Sequence, residues 1–243
     1  MEKELNFVET SKMSLKGFTL IEGFPDLGLA GTIGAKYLID KLDFEEIGYV
    51  DSSAFMPITR INKGIPLHPV RIYANKKYKT AIIISEQLIQ NDIARLMAIE
   101  LINYVKKKEI KRVISTSGIS IPDGKSVYAF ASNEKSKKII KDQGYELINT
   151  GITSGVTALL MLYLKDNNIE AFCLMGNAKN NADYYAAAEI VKAFCSFTKI
   201  NIDVKPLLEE AKKIESVVTQ HLKAVEENTE TKIGSKGQLS MYT

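Results

Sequence analysis

Seven runs of strand length constrain the fold of this chain more than any other feature: GFTLIEGF (17–24), EIGYVDSS (46–53), PVRIYA (69–74), TAIIIS (80–85), RVISTS (112–117), VYAFAS (127–132) and AFCLMG (171–176). Several are apolar at consecutive positions, the pattern of strands buried on both faces. Segments with helical spacing lie between them, at 28–41, 91–108, 133–142, 155–167 and 183–199. This alternation predicts an α/β fold, a three-layer sandwich with helices on both sides of a mixed, largely parallel sheet. The stretch 45–85 carries strand-like segments and no helical one, so an antiparallel excursion should interrupt the rhythm.

Helix ends are readable from capping chemistry. Asn91 or Asp92 can cap a helix with Ile93, Leu96, Met97, Leu101 and Val105 on one face and Lys106, Lys107 and Lys108 against its C-terminal dipole. That lysine run reads as a solvated helix end. Asn133 should cap a polar helix that stops at Gly144. Beyond Val204 the character changes: Pro206 suits a first helical turn, and Leu207, Ala211, Ile214, Val218, His221 and Val225 form a stripe. The stripe serves equally for packing within the subunit or against a neighbouring one. After Glu227 the periodicity ends. The expected organisation is an α/β scaffold over 1–203, an amphipathic helix over 204–227 and a flexible tail over 228–243.

Composition removes several classes of function. Thirty-two Lys and Arg against 29 Asp and Glu give a net charge of +3, too balanced for a nucleic-acid groove or an anionic membrane. Two cysteines (Cys173, Cys195) and two histidines (His68, His221) cannot build a closely spaced zinc cluster, and both cysteines read as reduced core residues. Neither a cofactor nor a metal is expected. No stretch approaches the roughly 20 apolar residues of a membrane span, and no secretory signal opens the sequence, so the expected compartment is the cytoplasm. A Ser-His-Asp set would have to recruit one of those two histidines, with no G-x-S-x-G elbow to accompany it.

Four loops carry candidate binding residues. In GFPDLGLAGTIGAKYL (23–38), Gly28, Gly31 and Gly34 recur every third residue at a strand-helix join, where they serve either a phosphate cradle or close helix packing. STSGISIPDGKS (115–126) brings Ser117, Gly118 and Asp123 to a strand's carboxyl end, where α/β proteins bind ligands. GITSG (151–155) offers Thr153 and Ser154 as a cap or an anion site. MGNAKNNADYY places Asn177, Asn180, Asn181 and Asp183 at a pocket lip, or Asp183 as a helix cap.

Taken in order, GFPDLGLAGTIGAKYLIDKL, DSSAFMPI with IPLHPVRIY, GITSGVTALL and NADYYAAAEIV resemble the landmarks of the proteasome assembly chaperone two family in its archaeal branch, over roughly residues 15 to 200. The resemblance implies a fold similar to nucleoside phosphorylases and hydrolases, used as a scaffold without an established catalytic site. Asp26 stands where relatives often carry glycine. The residues Met241-Tyr242-Thr243 are similar to the hydrophobic-Tyr-any (HbYX) motif with which proteasome activators and assembly chaperones dock between α-ring subunits. An α-carboxylate, a penultimate tyrosine ring and an apolar side chain suit such a pocket. The 16 residues 228–243 reach at most about 55 Å extended, or about 22 Å as a coil. One such tail binds weakly, so a homo-oligomer presenting several is expected. The resemblance thus implies an ATP-independent proteasome-binding protein rather than an enzyme. The alternative is a phosphorylase- or ligase-type enzyme holding phosphate or nucleotide at the glycine segment.

Overall fold

The computed structural model describes residues 4–211. The chain runs β1 (Asn6–Glu9), β2 (Thr19–Gly23), a 3-10 turn (Leu27–Leu29), α1 (Ala30–Lys41), β3 (Glu45–Asp51), β4 (Arg60–Asn62), β5 (Ile65–Leu67), β6 (Val70–Asn75), β7 (Thr80–Ser85) and α2 (Asn91–Lys107). It continues with β8 (Arg112–Ile119), β9 (Val127–Ala131), α3 (Glu134–Asp142), β10 (Glu146–Leu147), α4 (Gly155–Asp166), β11 (Glu170–Asn177) and α5 (Tyr184–Phe197). Nine strands form one mixed sheet in the order β1-β3-β6-β7-β2-β8-β11-β9-β10, and β4 and β5 form a separate hairpin. Its centre, β7-β2-β8-β11, is parallel; β1-β3-β6-β7 is the antiparallel excursion, and β9 runs antiparallel to β11.

Consecutive apolar residues put the central strands between two cores. Leu20, Ile83, Val113 and Cys173 face α2 and α4, while Ile21, Ile82, Ile114 and Phe172 face α1 and α5. Each such side chain contributes roughly 1.5–3 kcal/mol by leaving water. Both exposed edges are short, four residues in β1 and two in β10, which limits edge-to-edge pairing.

Several boundaries differ from the sequence reading. The helix expected from residue 28 starts at Ala30, because Gly28 (φ 70°) and Leu29 (φ 51°) are both left-handed and turn the chain into α1. Neither Asn91 nor Asp92 caps α2; Gln90 holds the cap position without a side-chain bond. Ser154 likewise precedes α4 without capping it. The lysine run is only partly solvated: Lys108 Nζ lies 2.5 Å from a Glu9 carboxylate oxygen and ties α2 to β1. Asn133 does cap α3, accepting from Ser136 N at 2.9 Å, and Gly144 (φ 78°) follows its end. Cys173 is buried and Cys195 half-buried, both unpaired.

Helical backbone resumes at 205 and continues to the last described residue, 211, with Leu207 buried on the α1–α5 side, Ala211 buried as well, and Tyr37 Oη donating to Asp203 O at 2.6 Å. The remainder of the stripe, Ile214, Val218, His221 and Val225, lies outside the described residues, as do the tail and Met241, Tyr242 and Thr243. Among the described residues no helix is long and apolar enough to cross a membrane.

A crevice at the carboxyl ends of the central strands

Parallel β2 and β8 pair up to Glu22, which lies opposite Ser115 in the ladder, and β8 runs on to Ile119 beyond the end of β2. Glu22 is fully buried on the α4 side of the sheet. One carboxylate oxygen accepts from Phe24 N at 3.0 Å and the other from Thr157 Oγ1 of α4 at 3.1 Å. Among the described residues no lysine or arginine pairs with it. Burial therefore dominates and pushes its pKa up to about 7, against the lowering effect of those two donors and of nearby Ser115; the Asp26 charge raises it further. Ser115 Oγ is itself buried and makes no hydrogen bond within 3.5 Å. On the opposite face Thr116 Oγ1 donates to Glu22 O at 2.8 Å, locking the two strand ends together.

The loop after β2 completes the crevice. Asp26 accepts from Leu27 N at 2.7 Å and from the Ser117 hydroxyl, while Asp26 O accepts from Leu29 N at 2.9 Å. Two amides of the glycine segment are thus taken by Asp26, Leu27 N by its carboxylate and Leu29 N by its carbonyl. The glycines are spent on close approach. A Cβ at Gly28 would come within 2.2 Å of Ala178 Cβ, at Gly31 within 1.9 Å of Thr116 Oγ1, and at Gly118 within 1.9 Å of Leu27 O. Gly34 faces α5, 3.3 Å from Val191 Cγ2 by the same construction. The structure thus gathers Gly28, Gly31, Ser117 and Gly118 in one place and leaves Gly34 apart.

Beside this network a cavity of about 270 Å³ opens between Phe24, Asp26, Leu27, Leu88 and the start of α4. Its lining mixes Phe24, Leu27, Leu88 and Ile89 with Asp26, Asn91, Ser154 and Thr157, and the Asp26 carboxylate disfavours an anion there. The second polar loop is committed to structure: Asn177 Oδ1 accepts from Ile121 N and Nδ2 donates to Ile121 O, both at 2.9 Å. Asp183 caps α5 through Ala186 N and also accepts from Lys179 N, both at 2.8 Å. Asp183→Ala is expected to cost about 1–2 kcal/mol, measured by urea unfolding, because it removes a cap and a loop anchor at once. Asn180 and Asn181 remain exposed, as do Asp123 and His68, whose ring stacks on Tyr49 at 3.6 Å. Among the described residues no group of three or more His, Cys, Asp or Glu could hold a metal.

Three buried charges escaped the reading of the sequence: Glu22 in FTLIEGF, Arg71 in PVRIYA and Glu170 at the start of β11. A charged residue inside or beside an otherwise apolar strand run is the signal that could have found them.

Comparison with known proteins gives this architecture its relatives. The structure superposes on PbaA of Pyrococcus furiosus, an archaeal homolog of proteasome-assembly chaperone, with a TM-score of 0.85 at 27% identity, covering 98% of this chain and 99% of that one. PbaB of the same organism, an archaeal proteasome activator, shares the fold with a TM-score of 0.77 at 20% identity, over 89% of this chain and 98% of that one. An uncharacterised protein of Methanocaldococcus jannaschii is 28% identical over 92% of this chain and 94% of its own length. The PAC2 family profile matches residues 20–222, and the chain belongs to the PAC2 family.

Proposed function

We propose that this chain is an ATP-independent proteasome-binding protein, an assembly chaperone or activator working in the cytoplasm, whose Met241-Tyr242-Thr243 docks in pockets of the proteasome α-ring. The observation that carries the reading is the correspondence with PbaA over nearly the whole of both chains, at an identity that reaches beyond fold alone. The tripeptide supports it independently: an apolar side chain followed by a tyrosine is the chemistry that suits such a pocket. Self-association belongs to the same proposal. Leu27 and Leu88, both exposed, line the crevice and give a second copy an apolar surface to cover. The phosphate-handling enzyme is not the reading this geometry favours, because Asp26 takes Leu27 N and Leu29 N and its carboxylate repels an anion at the start of the glycine segment.

The test is recovery of proteasome core particles by the full chain, by Tyr242→Ala and by a chain lacking residues 241–243. Both variants are expected to lose at least about tenfold in recovery, since one motif is presented several times and each copy's loss is multiplied. Equal recovery by all three overturns docking through the tripeptide. Failure of the full chain to recover particles overturns proteasome binding altogether.

A further inference from the structure

We propose that the pocket between α1, the β6–β7 face of the sheet and the β4–β5 hairpin is a binding site for a small phosphate-bearing molecule. Arg71 projects from the middle of β6, is 3% exposed, and has a buried Nε without a hydrogen-bond partner. Its Nη2 lies 2.5 Å from Glu86 Oε1, and Arg60 Nη1 from β4 lies 2.7 Å from the same oxygen. Two guanidinium groups therefore crowd around a single carboxylate oxygen, and one negative charge answers two positive ones.

The hairpin tip adds a third cation. Lys63 (φ 48°) and Gly64 (φ 81°) form the tight left-handed turn joining β4 to β5, and Lys63 lines the same pocket, with no carboxylate of the described residues within ion-pair distance. Lys36 also lines it but is neutralised by Asp40 at 2.5 Å, one turn along α1. Three cations against Glu86 leave two positive charges, the complement of a phosphomonoester dianion rather than of a lone carboxylate. Arginine forks suit phosphate oxygens, and an acceptor beside Glu86 would also draw on the unmet donor capacity of Arg71.

The cavity, about 440 Å³, is larger than a bare phosphate requires. Tyr73, whose ring lies 5.6 Å from the Arg71 guanidinium carbon, joins Ile39 and Ile84 in an apolar wall for the organic part of a ligand. The site shares no lining residue with the crevice cavity and includes none of the tripeptide's residues, so it stands or falls independently of proteasome binding.

Isothermal titration calorimetry with inorganic phosphate, ribose 5-phosphate and acetate, at an ionic strength fixed with sodium chloride, tests the site. Ribose 5-phosphate is expected to bind at least about tenfold more tightly than acetate. Equal affinity for inorganic phosphate assigns the site to the free ion, and weaker binding of inorganic phosphate assigns it to the ester. Arg60→Gln and Lys63→Asn, both outside the core, should each weaken binding about tenfold; asparagine tolerates the left-handed turn. Glu86→Gln should tighten binding, a direction that loss of structure does not produce. Absence of heat with both phosphate compounds at millimolar concentration overturns the proposal, as do acetate binding equally well and affinities unchanged in Arg60→Gln and Lys63→Asn.

Discussion

Gly118→Ala is expected to lower the melting temperature by about 6–12 °C, corresponding to roughly 3 kcal/mol in a chain of this size. The added methyl would sit 1.9 Å from Leu27 O, a backbone atom fixed by the 3-10 turn and by the Asp26 bonds that hold it. No side-chain rotation relieves that contact. Strand β8 and the turn must separate, taking the Ser117–Asp26 contact with them. Gly31→Ala should cost somewhat less, because its methyl meets the Thr116 side chain at 1.9 Å, although Thr116 Cβ at 2.4 Å cannot rotate away. Gly34→Ala meets Val191 Cγ2 at 3.3 Å, a methyl that can yield, and should cost under about 1 kcal/mol while gaining helix propensity in α1. Thermal unfolding followed by circular dichroism should give the order Gly118, Gly31, Gly34. Three variants melting within a degree or two of one another would show that the strand ends and the glycine segment are not in the contact described.

That ordering also separates what was legible in the sequence from what was not. The spacing of Gly28, Gly31 and Gly34 was plain, and both close packing and a phosphate cradle fitted it. Only the neighbours distinguish the two, and Thr116, Ala178 and the carboxylate of Asp26 come from or contact distant segments. The central strands were readable because burial on both faces makes them apolar throughout. Strands β4 and β5 were not: their hairpin stands off the sheet with Ile61 71% and Ile65 63% exposed, so neither face imposes a period on RIN or IPL. Strand β10 spans two residues, too few to show a pattern. Glu22 and Arg71 were visible as charges in apolar runs, but their partners lie 135 and 15 residues away in sequence, on α4 and beyond β7. Spacing along the chain carries no information about such pairs.

Glu22→Gln is expected to remove a pH dependence of stability that the native chain shows between about pH 5 and pH 8. The carboxyl's pKa in the folded protein is raised to about 7 from an ordinary 4.5. Folding therefore favours its protonated form. The associated stability is fully present below about pH 4.5, where folded and unfolded chains both hold the proton, and is lost as pH rises through 7. A shift of this size corresponds to about 2–3 kcal/mol lost between pH 5 and pH 8, or roughly 5–10 °C in melting temperature. Glutamine keeps the shape and has no charge to desolvate. Its oxygen can still accept from Phe24 N, and its amide can donate to Thr157 Oγ1, whose own proton can turn to Thr116 O at 3.5 Å. The second amide hydrogen has buried Ser115 Oγ as a neighbouring acceptor, which gives that hydroxyl the partner it lacks. The variant should accordingly match the native chain near pH 5 and exceed it at pH 8. The measured quantity is the difference between the two melting curves across that range, because every other titrating group is common to both. Parallel curves would mean that Glu22 ionises in the folded protein as easily as in the unfolded one. That outcome would overturn the account of Glu22 as a carboxyl whose charged form is penalised by burial.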